Sequence, residues 1–524
     1  MTKEGLSAGS TRRTFLGAAA LTAASYNRVL GANDRIGIGQ VGFGLIGKQH
    51  IADFKTQKDV DIVALCDAYA PRVEEGLKYI GNGTAKGYSD FRKMYENKDI
   101  QGVVVATPDH WHALLTIMAC AAGKDVYVEK PMTVFIDEGK WMVQAARAHK
   151  SIVTVGTQRR QGAGVKAAKQ VILAGMLGKI HNVKIAFCRN IYPGFGKTPV
   201  TEPPAGFDYD MWQGPAPKKP YQAHRGLYHF RWFWDYSGGQ MTNLGAHMID
   251  QILWLMDAKG PTSVMSVGGR YALDDDDGET PDLQDAIWEF PGKNGGPGFT
   301  MQCSIREANV GPQGINPAQV YLGTKGNMNV SGNYSITSET KVNAIDDIPR
   351  FQGHPIGGPV YPNEPRTPWL PEFAGASAGR GGGAGGGSGR GTGAAAGAAS
   401  GQGRGAAAGA PAAAAAGVAT DARYGLTATG ADPTMVLNER DWLDCIKSRN
   451  RPFCEVEDGH KVATTCNLAN MSLILGRAIK WDPDKQEIVG DKEATAMAAG
   501  LRRSGTSHAY RAPWDAVLRS IVKV

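Results

Sequence analysis

Ile36-Gly37-Ile38-Gly39-Gln40-Val41-Gly42-Phe43-Gly44-Leu45-Ile46-Gly47 is the stretch that decides the fold. Its first six residues read as a buried strand. The glycines that follow have the spacing G-x-G-x-x-G where a helix opens. Each glycine meets a steric demand: a tight turn at Gly42, close backbone approach to a pyrophosphate at Gly44, and close helix–strand packing at Gly47. The helix start offers unpaired N–H groups and a positive dipole end to phosphate. Gly42, Phe43, Gly44, Leu45, Ile46 and Gly47 are therefore candidate cofactor-binding residues. A second strand over 59–66 leads to Asp67, 20 residues beyond Gly47. A carboxylate there can accept both hydroxyls of an adenosine ribose and would repel a 2′-phosphate, so NAD is expected in preference to NADP.

The alternation continues with strands at 102–106, 125–128 and 152–155 and helices at 113–122 and 137–149. This predicts an α/β chain whose N-terminal Rossmann domain, a doubly wound parallel sheet, spans 33–155. Beyond 156 the texture changes. Strand-like runs at 180–187, 262–270, 283–290, 299–305 and 318–322 are separated by turn residues, with one strong helix at 245–256. They predict a C-terminal α/β domain over 156–373 with a mostly antiparallel, open sheet. Residues 374–418 are nearly all Gly, Ala, Ser and Arg. Such a segment buries too little apolar surface to offset chain entropy and is expected to be disordered. Helices at 438–447 and 459–479 assign 419–480 to the C-terminal domain. The tail, 481–524, is expected to pack back on the body.

The chain has 524 residues, 42% hydrophobic and 20% charged, with a formal net charge of +7. Lys3, Arg12, Arg13 and Arg28 against Glu4, together with Arg380, Arg390 and Arg404, carry nearly all of that excess. The remainder is close to neutral and lacks the basic footprint of a nucleic-acid binder. Ser10-Thr11-Arg12-Arg13-Thr14-Phe15-Leu16, ahead of an Ala-rich run, looks like a twin-arginine export signal over 1–32. That predicts a bacterial periplasmic or cell-envelope location, with the twin-arginine translocation machinery as a partner. Its apolar run, at about 12 residues, is too short to span a bilayer. Seven scattered cysteines without C-x-x-C form neither a disulfide framework nor a zinc site and read as buried small hydrophobes.

Three further stretches carry a resemblance: Thr107-Pro108-Asp109-His110-Trp111-His112, Glu129-Lys130-Pro131, and Gly238-Gly239-Gln240-Met241-Thr242-Asn243-Leu244-Gly245-Ala246-His247-Met248-Ile249-Asp250. With the glycine loop they resemble the Gfo/Idh/MocA oxidoreductases. The resemblance implies hydride transfer between nicotinamide and a hydroxyl carbon of a sugar or cyclitol. It implies an open C-terminal sheet that mediates a homo-oligomer. It also implies that Thr107, Pro108, His112, Glu129 and Lys130 surround the cofactor, and that Lys130 and His247 are the catalytic positions.

Oxidising a carbinol leaves a hydroxyl proton to be removed, for which a group titrating near neutrality is best suited. His247 is assigned as proton acceptor and Lys130 as the group that polarises the oxygen and relays the proton. The two titrate as a coupled pair, so the reverse assignment is open. On a continuous helix Asn243, His247 and Asp250 share one face. Asn243 stands where the family commonly has Asp; it could orient His247 but supplies no charge. Asp250 reads either as a substrate group or as a helix ion-pair partner. Arg159 and Arg160 are candidates for a substrate oxygen or an acidic sugar. In the aromatic segment 221–236, His229, Arg231 and Trp232 suit a carbohydrate, whose C–H faces stack while its hydroxyls hydrogen-bond. No metal site is read, because His110-x-His112 lacks a third ligand at a recognisable spacing.

An exported enzyme meets no free nicotinamide pool, so the cofactor is expected to be tightly held and restored within each cycle. Two alternatives stand beside plain dehydrogenation. One is an NAD-dependent glycosidase that oxidises, eliminates and re-reduces; the other is a non-catalytic dinucleotide- or sugar-binding protein.

Overall fold

Buried apolar runs build the first sheet from β1 (Ile36–Val41), β2 (Val60–Cys66), β3 (Lys86–Tyr88), β4 (Gly102–Val105), β5 (Asp125–Val128) and β6 (Val153–Val155). In this computed structural model, which describes residues 35–292, 298–309, 319–331, 333–339, 433–501 and 509–524, the strand order is β3-β2-β1-β4-β5-β6. All neighbours are parallel. β1, β4, β5 and β6 are buried at every position, so they read as nearly unbroken apolar runs. The strand order reverses between β1 and β4, which opens a crevice at their carboxyl ends. β3 escaped the sequence pattern because it is a three-residue edge strand with little apolar content. The export-signal stretch 1–32 and the Gly/Ala segment 374–418 lie outside the described residues.

The second sheet comprises β7 (Ile180–Cys188), β8 (Ser263–Gly269), β9 (Leu283–Phe290), β10 (Phe299–Arg306), β11 (Gln319–Gly323), β12 (Gly326–Ser331), β13 (Asn333–Ser338), β14 (Ile479–Asp482) and β15 (Glu487–Ile488). Their order is β13-β12-β11-β7-β10-β9-β8-β14-β15. The β7–β10 pair is parallel and the other pairs are antiparallel. Along β9 and β10 buried positions alternate with more exposed ones. That is the signature of a sheet covered on one face. The covered face packs on helices Ala163–Leu173, Gly245–Met256 and Val456–Leu475 in one core. On the open face Met265 stands opposite Ile287, and both are exposed together with Val267.

Two details of the C-terminal half differ from the sequence reading. The helix expected over 459–479 ends at Leu475, because Gly476 turns left-handed (φ 66°) and releases Ile479 into β14. The helix Pro433–Ser448 does not join the C-terminal core. Its Trp442 sits edge-on to Phe54 and Tyr127, and Leu443 and Cys445 enter the core around β1 and β2. The terminal helix Trp514–Ile521 likewise packs Trp514 against Phe91 and Trp111. The chain thus returns twice to its first domain. All seven cysteines are unpaired and six are buried.

Candidate functional site

At the carboxyl end of β1 the chain turns through Gly42 at φ +96°, where a Cβ would overlap the Ala106 carbonyl. A Cβ on Gly47 would strike the Gly42 carbonyl and come within 2.9 Å of the Gln40 Nε2. Gly44 is the opposite case. A Cβ there meets nothing within 4 Å, so the space above it is open. It is also the N-cap of the helix Leu45–Phe54 and supplies no side-chain cap, which leaves the first-turn N–H groups for an anion. Asp67, at the end of β2, is held by N–H donors from Phe43 (2.8 Å) and Tyr69 (2.9 Å), one to each oxygen. Each oxygen keeps a lone pair for a ribose hydroxyl. An open cradle at a helix N-terminus beside a pinned carboxylate fits the pyrophosphate and adenosine ribose of NAD. Gly44→Val is accordingly expected to leave the thermal midpoint unchanged. It should weaken NAD binding, measured by titration calorimetry, by about tenfold or more.

A cavity of about 320 Å³ runs from this loop to the junction of the two domains. Gly42, Gly44, Leu45, Ile46 and Asp67 line its first part; Thr107, Pro108, His112, Glu129 and Lys130 follow; Asn243, Arg231 and Trp232 close it. Phe43 and Gly47 are buried behind the loop rather than on the wall. His112 lines the cavity with its ring pinned, Nε2 on the Thr107 carbonyl (2.8 Å) and Nδ1 on the Pro131 carbonyl (2.7 Å). It braces the loops after β4 and β5 against each other. His110 is buried against Trp212 and Tyr236, with Nε2 on the Trp212 carbonyl.

Lys130 follows β5. Its Nζ donates to the Asn243 Oδ1 (3.0 Å) and main-chain carbonyl (3.3 Å), so one lysine bridges the domains. Burial lowers its pKa; Arg231 and Arg159 push the same way, against Glu129 and Asp109. Lys130 therefore holds its proton less tightly than an ordinary lysine. The Glu129 Oε2 accepts from the Lys130 main-chain N–H (3.0 Å). Its Oε1 meets the His50 Nε2 (3.1 Å), and the His50 Nδ1 meets the Glu439 Oε1 (2.7 Å). Burial opposes charge on His50, but hydrogen bonds to the two carboxylates outweigh it and raise the imidazole to about 10. His50, hydrogen-bonded to both acids, thus backs the turn that presents Lys130. Sequence reasoning missed His50 and Glu439. His50 lies three residues past Gly47 and was within reach, but Glu439 is 389 residues away and leaves no local signal.

The expected face of Asn243, His247 and Asp250 is not realised. The helix is interrupted at Leu244, giving Gly239–Asn243 and Gly245–Met256. Asn243 bonds Lys130 and Gln240 instead of orienting His247. His247 is buried beside the cavity rather than on its wall, and its Nδ1 has no partner among the described residues. Burial, then the charges of Arg159 and Lys130, push its pKa well below 6.5, so the ring is neutral. Asp250 and Arg160 are not brought to the cavity. They form a fully buried ion pair, the Arg160 Nε 2.9 Å from the Asp250 Oδ2, and Asp250 keeps Arg160 protonated. Arg159 is near enough to act on Lys130 and His247 through its charge without lining the cavity. His229 stacks on Phe195 and lies off the wall. Tyr228, from the aromatic segment, and Arg189, which the sequence did not single out, do line it.

Residues 36–157 match the family model described as the Gfo/Idh/MocA oxidoreductase family, NAD-binding Rossmann fold, and residues 161–277 and 426–508 match its C-terminal alpha/beta domain. An inositol 2-dehydrogenase of Salmonella paratyphi B is 32% identical over 144 residues, 27% of this chain and 42% of the relative. A myo-inositol 2-dehydrogenase of Thermotoga maritima is 28% identical over 148 residues, 28% and 44% of the two chains. The chain thus spans less than half the length of these relatives. The WlbA dehydrogenase of Bordetella pertussis, solved with NADH and UDP-GlcNAcA, shares the fold at a TM-score of 0.54 and 19% identity, over 86% of this chain and 98% of that one.

Proposed function

Because the chain belongs to the Gfo/Idh/MocA oxidoreductase family, we propose that it is an NAD-dependent dehydrogenase of a sugar or cyclitol hydroxyl. The observation that carries this reading is a single cavity with the glycine cradle and Asp67 at one end and Lys130, bonded across the domains to Asn243, at the other. Bound NAD would supply the hydride acceptor. Lys130 faces the reacting oxygen, donates a hydrogen bond to it and, with its pKa lowered by burial, can pass on or take up the hydroxyl proton. His247, neutral and with a free ring nitrogen, is the adjoining acceptor. Trp232 and Tyr228 line the substrate end of the cavity, and Arg231 reaches the oxygens of a ring bound there. The names of the inositol dehydrogenase relatives accord with a polyhydroxylated ring.

The reading includes export through the Arg12-Arg13 signal and a cofactor retained through the cycle. It also includes a homo-oligomer formed through the open face bearing Met265 and Ile287. Asn243 favours a second cycle, oxidation followed by elimination and re-reduction, because no carboxylate there stabilises a proton left on His247. The test is to denature the purified protein, identify any dinucleotide released, and assay it with myo-inositol, aldoses and glycosides in deuterated water. A ketone or lactone in step with nicotinamide reduction supports dehydrogenation. A cleaved glycoside deuterated beside the oxidised carbon, without net reduction, supports the second cycle. No bound or reducible NAD with any polyol would leave only a binding role.

A further inference from the structure

Arg231 lines the cavity without a carboxylate in contact with it; Asp109, on the same wall, acts on it only through its charge. Its guanidinium lies 4.9 Å from the ring centroids of both Tyr228 and Phe230, and its Nη1 donates to the Tyr228 carbonyl (2.9 Å). Among the described residues no carboxylate forms an ion pair with it. Arg189, at the end of β7, is its neighbour on the wall. That residue is held from behind: its Nε donates to the buried Glu307 Oε1 (3.0 Å), Glu307 also accepts from the Trp232 Nε1 (2.9 Å), and the guanidinium sits over Trp232. Lys130 also lines the chamber, near enough for the charge of Arg231 to act on it. The acids nearby are largely committed. Glu129 faces His50, Glu307 faces Arg189, and Asp109 is buried with the Ser237 hydroxyl donating to it. Like charges crowded into a partly desolvated cavity repel one another, and an anion entering between them removes that cost.

We propose that the substrate carries an oxyanion, a carboxylate or phosphate on its sugar or cyclitol ring, bound by Arg231 with Arg189 beside it. This rests on the dehydrogenase reading and narrows it to acid sugars and their phosphorylated counterparts. The earlier expectation gave an acid to Arg159 or Arg160. The fold consumes Arg160 in its pair with Asp250 and turns Arg231 into the cavity instead. A planar guanidinium with N–H groups to spare suits two oxygens of one anion, and its aromatic bed fixes the plane in which they must lie.

The full chain loaded with NAD is titrated with D-glucuronate against D-glucose, D-galacturonate against D-galactose, and D-glucose 6-phosphate. Quenching of tryptophan fluorescence is followed, since Trp212 and Trp232 line the cavity. An acid sugar is expected to bind about 10- to 100-fold more tightly than its neutral partner. Added salt should erode that advantage. Arg231→Gln should abolish the preference with NAD affinity unchanged, and Arg231→Lys should retain part of it. The uronate and phosphate arms show which oxyanion is recognised. Equal binding of acid and neutral sugars by the unsubstituted protein overturns the proposal, whether or not the variants fold. So does an Arg231→Gln protein that loses NAD affinity alone, since the arginine would then serve the dinucleotide phosphates. NAD binding is read before any sugar is added, so its absence counts against the dehydrogenase assignment, whereas loss of the acid preference in loaded protein counts against this proposal alone.

Discussion

Lys130→Met is expected to lower turnover by about 10²- to 10⁴-fold, the range for removing a positioned proton-transfer group. NAD affinity should be preserved, because the cradle at Gly44 and the carboxylate of Asp67 lie at the other end of the cavity. Methionine keeps the length and apolar stem of lysine but cannot bond the Asn243 Oδ1 or a substrate oxygen. The measurement is the single-turnover rate of nicotinamide reduction alongside a calorimetric NAD titration. Its pH dependence separates the two roles open to the lysine. Burial lowers the Lys130 pKa, so the neutral amine appears at lower pH than for an exposed lysine. If that amine takes the proton, the rate climbs as pH rises through the lowered value, and Lys130→Arg, which cannot deprotonate, is as slow as Met and loses the climb. If Lys130 acts only by polarising the oxygen, Arg retains much of the rate. A Met variant within about tenfold of the parent would remove Lys130 from the chemistry.

Asp250→Ala is expected to destabilise the fold by about 3 kcal/mol, the lower end of the cost of breaking a buried ion pair, since Asp458 stays 3.6 Å from Arg160. The Arg160 side chain is 3% exposed and that of Asp250 is 0%, so no water replaces the lost carboxylate. Arg160 also donates to the Phe453 carbonyl (3.0 Å). The pair thereby fastens the His247 helix to the segment after β6 and to the loop ahead of Val456–Leu475. Urea unfolding followed by far-ultraviolet circular dichroism reads the change. The double replacement Arg160→Met with Asp250→Leu should be milder than the single one, because it removes both charges and keeps apolar volume. A shift below about 1 kcal/mol for Asp250→Ala would mean that the pair behaves like a surface ion pair.

Where the sequence was legible, the constraint was local. The G-x-G-x-x-G turn needs particular backbone angles and particular absences of Cβ, and those needs act over a few residues. β1, β4 and β5 were visible because burial on both faces demands unbroken apolar runs. Glu129 and Lys130 were visible because they sit at a strand's carboxyl end in a recognisable motif. β3 was missed for want of apolar length, and the packing of the helix Pro433–Ser448 on β1 and β2 was not legible because an amphipathic pattern names no partner.

The amino-acid sequence by itself determined the nucleotide-binding domain, the cradle at Gly44, the carboxylate at Asp67 and the placing of Lys130 at the carboxyl end of β5. Only the tertiary structure decided which charges are spent on structure and which are left for a ligand. Arg160 and Arg231 look alike in the sequence, yet one is neutralised by Asp250, 90 residues away, and the other faces the cavity. His50 is buried with both ring nitrogens satisfied only because Glu129 and Glu439 converge on it from distant parts of the chain. Steric and apolar demands are written into neighbouring residues. The pairing of buried charges depends on which distant segments meet, and that is settled when the two domains and the returning C-terminal helices pack together.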